Sequence, residues 1–374
     1  MTAYLDHAAT TPMRPEAVEA MLPFLTERFG NPSGSHAVAR EARKALDEAR
    51  EVVAECLGAR PGEVVFTGGG TEADNLAIAG RHAVRSGPVV CTAIEHHAVL
   101  HACGALPEAR MAAVRPDGVV DLDALGELLD PTVAVVSVML ANNEVGTFQP
   151  LADVTALVRA AAPNAALHTD AVQAFPWVDV AILAAGADLV AVSAHKFAGP
   201  KGVGALIVRE GISVDPIIHG GGQERDRRSG TYNVAGIVGM AAAMQGTLSE
   251  RQRTVERVTC LRDRLADGLL AAVPDTTETG SRAQKVAGNC HLSFAGVESE
   301  ALLVLLDGAG VCASAGSACT SGAVEPSHVL TAMGVPADRA IGALRLSLGA
   351  TTTDADVDLA LEVIPAAVER LRTQ

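Results

Sequence analysis

The sequence predicts an α/β protein with a mainly parallel, seven-stranded sheet flanked by helices, followed by a smaller α+β region. Short β-rich runs alternate with helical patterns from about residue 15 to 220, as parallel strands require crossover segments between them. A long helical stretch over 234–272 then leads into a final segment that mixes both patterns around several glycines. The seven strands are predicted at 64–67, 89–93, 111–114, 133–138, 166–169, 189–193 and 204–208.

The first two helices are predicted from apolar spacing and from residues typical of helix ends. Pro15 suits a first helical turn, and helical spacing continues from Glu16 to Arg28. Residues 36–57 form a long amphipathic stretch, and Gly58 is typical of the position that follows a helix.

The composition indicates a large apolar core, and the net charge argues against nucleic-acid binding. The chain has 374 residues, of which 49% are hydrophobic and 20% are charged, which argues against disorder. Aromatic residues make up only 3%, so Ala, Val and Leu must fill the core. The net charge of −15 opposes direct contact with a phosphate backbone.

The terminus and the cysteines indicate a reducing, cytoplasmic environment. Asp6 interrupts the N-terminus before any apolar leader, and no apolar run approaches the roughly 18 residues of a membrane span. The seven cysteines are scattered and form no Cys-x-x-Cys pair. We therefore expect a cytoplasmic protein with reduced thiols, without a disulfide framework or a zinc site.

Two strand ends carry the side chains that a carbonyl cofactor needs. Lys196 follows the strand 189–193, where an α/β enzyme places its chemistry, and its amine is a candidate imine-forming nucleophile. Asp170 directly follows the strand 166–169 and supplies a carboxylate there. A pyridoxal phosphate site pairs a lysine for the aldehyde with an acid that keeps the pyridine nitrogen protonated.

The glycine-rich turn before Thr71 has two interpretations. Gly68, Gly69 and Gly70 lie between a strand and a helix, so their N–H groups could bind a phosphate with the Thr71 hydroxyl. The same residues also suit an ordinary turn capped by Thr71. The motif is not a P-loop, since no Gly-Lys-Ser/Thr follows.

Three histidines follow the strand 89–93 and leave three alternatives open. His97 and His101 are four residues apart, as two metal ligands on one helix face would be. His96 could instead stack on or protonate a planar ligand. Residue types alone favour a polar helix start.

Three further positions are ambiguous when each is taken alone. Asn143 follows the strongest β-rich run, where an amide could bind a ligand or merely form a turn. Arg345 could bind a carboxylate, although the alternating pattern alone favours a solvent-facing strand residue. Cys319 lies in the segment 316–322, whose residues are small and polar, so we expect a surface loop with an accessible thiol. That thiol could be reactive, or it could be an incidental surface cysteine.

Together these segments resemble the cysteine desulfurases of the NifS/IscS type, within the class V aminotransferases. The resemblance covers nearly the whole chain, and the motifs occur in the family's order. They are Tyr4–Pro12, Gly30–Ser33, Gly68–Thr71, Glu95–Val99, Asn142–Gly146, Asp170–Gln173, Ser193–Lys196, His219–Arg225, Arg228–Thr231 and Gly316–Ser321.

The resemblance implies a pyridoxal 5′-phosphate enzyme of fold type I, similar to aspartate aminotransferase. It implies that Lys196 holds the aldehyde and later moves the Cα proton, and that His96 is catalytic and stacks on the ring. Asp170 is expected to bind the pyridinium nitrogen and Gln173 the ring hydroxyl. The implied phosphate-binding residues are Gly70, Thr71, Ser193, His195 and, from a second copy in a homodimer, Thr231.

The implied reaction converts L-cysteine to L-alanine. Asn143 and Arg345 are expected to hold the substrate carboxylate, and Cys319 to take the sulfur as a persulfide. A sulfur-acceptor protein would follow, from iron–sulfur cluster assembly, tRNA thiolation or DNA phosphorothioation. A selenocysteine lyase or another class V enzyme is the alternative. The implied domains are 15–252, with the cofactor, and 1–14 with 253–374, with the cysteine loop.

Overall fold

The protein is described here from a computed structural model that covers residues 2–316 and 326–373. The strands are β1 (Ala3–Tyr4), β2 (Val64–Thr67), β3 (Val89–Thr92), β4 (Ala109–Ala112), β5 (Val135–Ser137), β6 (Ala166–Asp170), β7 (Leu189–Ser193), β8 (Gly204–Val208), β9 (Thr276–Glu278), β10 (Asn289–Phe294), β11 (Val311–Cys312) and β12 (Ala343–Ser347).

The helices surround three groups of paired strands. They are α1 (Pro15–Leu25), α2 (Ala37–Cys56), α3 (Gly70–Asn75), α4 (Arg81–Val84), α5 (His97–Gly104), α6 (Leu122–Glu127), α7 (Leu151–Ala161), α8 (Val180–Leu183), α9 (Val234–Ala272), α10 (Ser299–Gly308), α11 (His328–Ala332), α12 (Ala337–Ala340) and α13 (Asp354–Arg372). A π-helical turn, Leu76–Gly80, joins α3 to α4. Among the residues described, no helix is both long enough and apolar enough to cross a bilayer.

The large sheet has the strand order β2-β8-β7-β6-β5-β3-β4. The five strands from β7 to β4 are parallel, and β8 runs antiparallel to both of its neighbours. The predicted mainly parallel, seven-stranded sheet is therefore confirmed. Because β2 runs in the same direction as β6 and β7, the carboxyl ends of these strands meet at one edge.

Both faces of this sheet are covered by helices. Successive strand residues point to opposite faces, so Val64 and Phe66 pack in the core beneath α2 and α9 while Val65 packs against α3. On β6, Leu167 packs on the face that α2 and α9 cover, and Ala166 packs on the face that α3 covers. Every strand of this sheet except β4 is buried on both sides, which accounts for the nearly continuous apolar sequences of those strands.

A second core surrounds the antiparallel sheet β12-β10-β9 and the parallel pair β1-β11. The 39 residues of α9 connect the two cores, because its first half packs on the large sheet and Val258 to Leu269 pack in the second core. The predicted helix over 234–272 has these same bounds.

The main difference from the predicted elements is the edge strand β4. It spans Ala109–Ala112 instead of 111–114 because it pairs residue by residue with Val89–Thr92. Val114 forms only an isolated bridge with Val120. Three of the four β4 side chains are not buried, so the apolar pattern placed its start too late.

The N-terminal segment connects both cores at the edge of the large sheet where β6 and β7 end. Asp6 pairs with Ser347 as a β-bridge. Five residues on, the Thr11 N–H and hydroxyl both donate to the carbonyl of His195, the hydroxyl at 2.7 Å. Residues between these anchors therefore cross the edge where β6 and β7 end.

Candidate active site

A cavity of about 420 Å³ opens at the carboxyl ends of β6 and β7. Ten residues predicted for the site line it, although they come from segments spread over most of the chain. They are Gly70, Thr71, His96, Asn143, Asp170, Gln173, Ser193, His195, Lys196 and Arg345.

Lys196 lies in a short 3₁₀ turn immediately after β7. Its Nζ atom donates to the carbonyl of Ala8 at 2.5 Å and to that of Ala9 at 2.9 Å. Burial, and then the positive charge of Arg345, lower the pKa of Lys196 to about 8. A lysine with this pKa is partly neutral near physiological pH and can act as a nucleophile or base.

Asp170 is the last residue of β6 and is 5% exposed. Its Oδ1 atom accepts the backbone N–H of Val172 at 2.8 Å, which fixes the carboxylate. Burial raises the pKa of Asp170, while His96, this N–H and Lys196 favour its ionised form. The neighbouring Gln173 amide donates to the Ala8 carbonyl at 2.7 Å.

His96 caps the N-terminus of α5, where its Nδ1 atom accepts the N–H of Ala98 at 3.1 Å. Burial lowers the pKa of His96, and the negative charge of Asp170 partly offsets that effect. His97 and His101 lie with ring centroids 5.2 Å apart. No group of three metal-ligating side chains is assembled within the described ranges, so the metal interpretation gains no support there.

The glycine turn contributes to the cavity through Gly70, at the start of α3. A Cβ atom at this position would lie 2.9 Å from Cγ2 of Val172, so only glycine fits without a shift. A second, more open cavity of about 720 Å³ adjoins the turn and includes Ser193 and His195. Burial lowers the pKa of His195 to about 4, and its Nδ1 atom lies 3.2 Å from the Thr10 hydroxyl.

Arg345 lies in the middle of β12 and is 5% exposed, so the solvent-facing interpretation of its alternating pattern is wrong. The N-terminal segment covers it: Nη2 donates to Oδ1 of Asp6 at 2.9 Å. Nη1 donates to the carbonyl of Asn143 at 3.0 Å, which brings the two predicted carboxylate-binding residues together. The Nε atom of Arg345 is buried without a partner.

Two predicted site residues are not found in this cavity. Thr231 is exposed and lines neither cavity of its own chain. Cys319 lies outside the described residues. Gly316, three residues earlier, lines the cavity, and so does His328.

Three further residues line the cavity although the sequence patterns assigned them no role at the site: Asp74, Glu144 and His328. Asp74 is three positions after Thr71, a spacing that brings side chains to one helix face and could have indicated it. Glu144 accepts a hydrogen bond from the Ser327 hydroxyl. For Glu144 and His328 no local pattern distinguishes the residue from an ordinary surface polar group.

The family model described as Aminotransferase class-V matches residues 3–360. The chain belongs to the class-V aminotransferase family. It is 49% identical to the IscS-like cysteine desulfurase of Mycobacterium tuberculosis (strain ATCC 25618 / H37Rv), over 99% of this chain and 97% of that one. The resemblance to cysteine desulfurases of the NifS/IscS type is thereby confirmed.

Solved structures agree with this assignment. A NifS-like protein has a TM-score of 0.93 at 36% identity, covering 99% of this chain and 100% of that one. A structure described as SspA in complex with cysteine has a TM-score of 0.81 at 31% identity, covering 94% of this chain and 100% of the other. Members of the family generally depend on pyridoxal phosphate.

Proposed function

We propose that this protein is a cysteine desulfurase that converts L-cysteine to L-alanine and receives the sulfur on Cys319. The observation that carries the proposal is that Gly316, three residues before Cys319, lines the same cavity as Lys196 and Arg345. A thiol-bearing segment therefore begins beside a lysine amine and a carboxylate-binding guanidinium. Relatives along nearly the whole chain are named for the same activity.

The cavity fits pyridoxal phosphate by size and by donor set. Its volume lies within the roughly 300–1,000 Å³ typical of small-molecule sites. Lys196 would hold the aldehyde, Asp170 the pyridine nitrogen and Gln173 the ring hydroxyl. The phosphate would bind at the other end, to Gly70, Thr71, Ser193 and His195. When bound, the cofactor supplies an electron sink for negative charge at the substrate Cα.

Lys196 is the residue proposed to move the Cα proton. Its lowered pKa leaves part of the amine unprotonated near neutral pH, as a general base requires. The two carbonyls that accept its hydrogen bonds, from Ala8 and Ala9, belong to a segment anchored at both ends. They hold the amine at the cavity wall, and His96, which lines the same cavity, would cover a planar group bound there.

Arg345 and Asn143 are proposed to bind the substrate carboxylate. The Arg345 guanidinium keeps an unpartnered Nε atom, and a guanidinium binds a carboxylate with two parallel hydrogen bonds. Its existing bonds to Asp6 and to the Asn143 carbonyl fix its orientation. The amino acid would thus be held with its Cα near Lys196.

Sulfur transfer balances without an added oxidant. The Cys319 thiolate attacks the substrate sulfur, the carbon–sulfur bond breaks and a sulfur–sulfur bond forms. One of the two thiol protons replaces sulfur on the substrate Cβ, and the other stays with the persulfide. An acceptor protein would then take the sulfane sulfur by thiol exchange.

Removing the proposed nucleophile tests this function. Cys319→Ala should keep the bound cofactor's visible absorption yet lose alanine and sulfide formation from L-cysteine, because no group accepts the sulfur. Cys260→Ala is the matched control, since Cys260 is a free and exposed cysteine elsewhere in the chain. Full turnover in Cys319→Ala would refute the proposal, and running selenocysteine in parallel distinguishes a lyase specific for that substrate.

We also propose that a second copy of the chain completes the phosphate site through Thr231. We further propose that the two cores correspond to two domains, residues 15–252 and residues 1–14 with 253–374. The exposure of Thr231 and the open cavity beside the glycine turn support the first point. The separate apolar cores support the second. Mixing inactive Lys196→Ala and Thr231→Ala chains should restore activity in hybrid dimers if the sites are shared.

A further inference from the structure

A buried acid and a buried imidazole face each other beside Asp170, and neither has a role in the proposed reaction. Oδ1 of Asp74 lies 3.4 Å from Nε2 of His168. The two residues are 1% and 0% exposed, and neither atom has a hydrogen-bond partner of good geometry. The other ring nitrogen of His168, Nδ1, lies 2.8 Å from the Ser137 hydroxyl.

The fold places this pair directly against the cofactor-binding residues. His168 and Asp170 are two positions apart on β6, so their side chains share one face of the strand. Asp74 lies on α3, one turn beyond Thr71, and lines the same cavity as Asp170. Two carboxyl groups and one imidazole are therefore enclosed together below the glycine turn.

The interior cannot hold both carboxyl groups in the ionised state. Burial raises the pKa of Asp74, and the negative charges of Asp170 and Glu95 raise it further. Burial also lowers the pKa of His168 to about 3, so the imidazole does not supply a compensating cation. Burial raises the pKa of Asp170 as well, but the positive charge of Lys196 and the backbone N–H of Val172 favour its ionised form, and Asp74 has no such partners within the described part of the chain.

We propose that Asp74 is the proton-holding member of a buried acid pair with Asp170, and that His168 accepts its hydrogen bond. Asp74 is then a positioning residue, because by staying neutral it leaves Asp170 as the charged member of the pair. The contribution of Asp74 to catalysis rests on the proposed function, in which Asp170 binds the pyridine nitrogen. The protonation of Asp74 does not depend on that function.

A defined hydrogen-bond chain follows from this assignment. The protonated Asp74 carboxyl donates to Nε2 of His168, and the Nδ1–H of His168 donates to the Ser137 hydroxyl oxygen. An asparagine at position 74 can donate through its amide in the same way. A leucine of similar size cannot, and would leave Nε2 of His168 buried without a partner.

Infrared spectroscopy of the full-length apoenzyme tests the protonation directly at pH 7. A protonated carboxylic acid has a carbonyl stretch that a carboxylate lacks. The wild-type minus Asp74→Asn difference spectrum should contain this band, shifted in heavy water. Glu95 and Glu144, which are buried acids with raised pKa values, are present in both samples and cancel. The Asp170→Asn apoenzyme should keep the band.

Loss of the band in Asp170→Asn, with retention in Asp74→Asn, would overturn the proposal, because the proton would then belong to the other acid. If Asp74→Asn does not fold, His168→Gln can be measured instead. The band should then remain but change frequency, because the Asp74 carboxyl donates its hydrogen bond to a different acceptor. An absent band in His168→Gln would equally refute the assignment. None of these outcomes depends on catalytic activity.

A second readout tests the positioning role. The affinity of apoenzyme for pyridoxal phosphate, followed by protein fluorescence, should change less than about twofold in Asp74→Asn. It should weaken by about tenfold in Asp74→Leu, the size expected when a buried hydrogen bond is left unmade. Equal losses in both variants would show that Asp74 acts through a negative charge and would contradict the proposal.

Discussion

Arg345 donates from Nη2 to Oδ1 of Asp6 at 2.9 Å, although the two residues are 339 positions apart in the chain. The arginine is almost fully buried, whereas the Asp6 side chain keeps 22% of its exposure. This pair fixes the guanidinium that we propose to bind the substrate carboxylate. It also makes the N-terminal segment part of the proposed substrate site.

Replacing Asp6 should weaken substrate binding more than it slows turnover. In Asp6→Asn the guanidinium loses its charged partner and its fixed orientation, so we expect KM for L-cysteine to rise about fivefold, the scale of a partly exposed charge-assisted hydrogen bond. Steady-state kinetics measure this. Asp117→Asn breaks the exposed Arg115–Asp117 pair and is the matched control, with KM unchanged. An unaltered KM in Asp6→Asn would contradict the role.

Capture of the cofactor should depend on the protonation of Lys196. Only the neutral amine attacks an aldehyde, so the rate of covalent capture of pyridoxal phosphate by apoenzyme should rise as the pH increases through about 8. Stopped-flow absorbance at several pH values measures this rate. Arg345→Gln removes a nearby positive charge, which should raise the pKa of Lys196 and move the profile to higher pH. Arg264→Gln, made on the surface, should leave it in place, and identical shifts in both variants would argue against the electrostatic cause.

The Ser327–Glu144 contact should stabilise the fold around the cavity. The Ser327 hydroxyl donates to the buried Glu144 carboxyl and also accepts the N–H groups of Val329 and Leu330 at the start of α11. Ser327→Ala removes both functions, so we expect a loss of about 2 kcal/mol in the free energy of unfolding. Urea denaturation of the apoenzyme measures it. Ser249→Ala, on an exposed face of α9, should cost less than about 0.5 kcal/mol.

Buried His291 should make the protein less stable as the pH falls. Burial, followed by the charges of Lys285 and Arg345, lowers its pKa to about 3, so the folded chain keeps it neutral while the unfolded chain protonates it below about pH 6.5. The free energy of unfolding is therefore unaffected by the protonation of His291 above that pH and decreases as the pH falls below it. We expect wild type to lose up to about 1.4 kcal/mol per pH unit relative to His291→Gln between pH 6 and 4.

Denaturant titrations at several pH values measure that difference. His219→Gln, made on an exposed side chain, is the matched control and should parallel wild type. If the curves for His291→Gln and His219→Gln coincide, the buried imidazole is not the cause of the pH dependence.

Local sequence determined the α/β fold, the central strands and the residues at their ends. Alternation of apolar runs with helical patterns predicted the sheet because the strands other than β4 are buried on both faces. The carboxyl ends of parallel strands then placed Lys196 and Asp170 at one edge. The sequence also indicated the role of the glycines before Thr71, since a close approach of the backbone requires glycine. The order of the motifs along the chain indicated the family.

Only the tertiary structure decided which distant groups meet at that edge. The Asp6–Arg345 pair, the carbonyls of Ala8 and Ala9 on Lys196, and the enclosure of Asp74 with His168 all depend on how the N-terminal segment and α3 pack onto the sheet. No local periodicity encodes such contacts, because they join segments that approach only after the cores have formed. Burial then changes the protonation of the groups it encloses, so the chemistry of this site is a property of the packed chain.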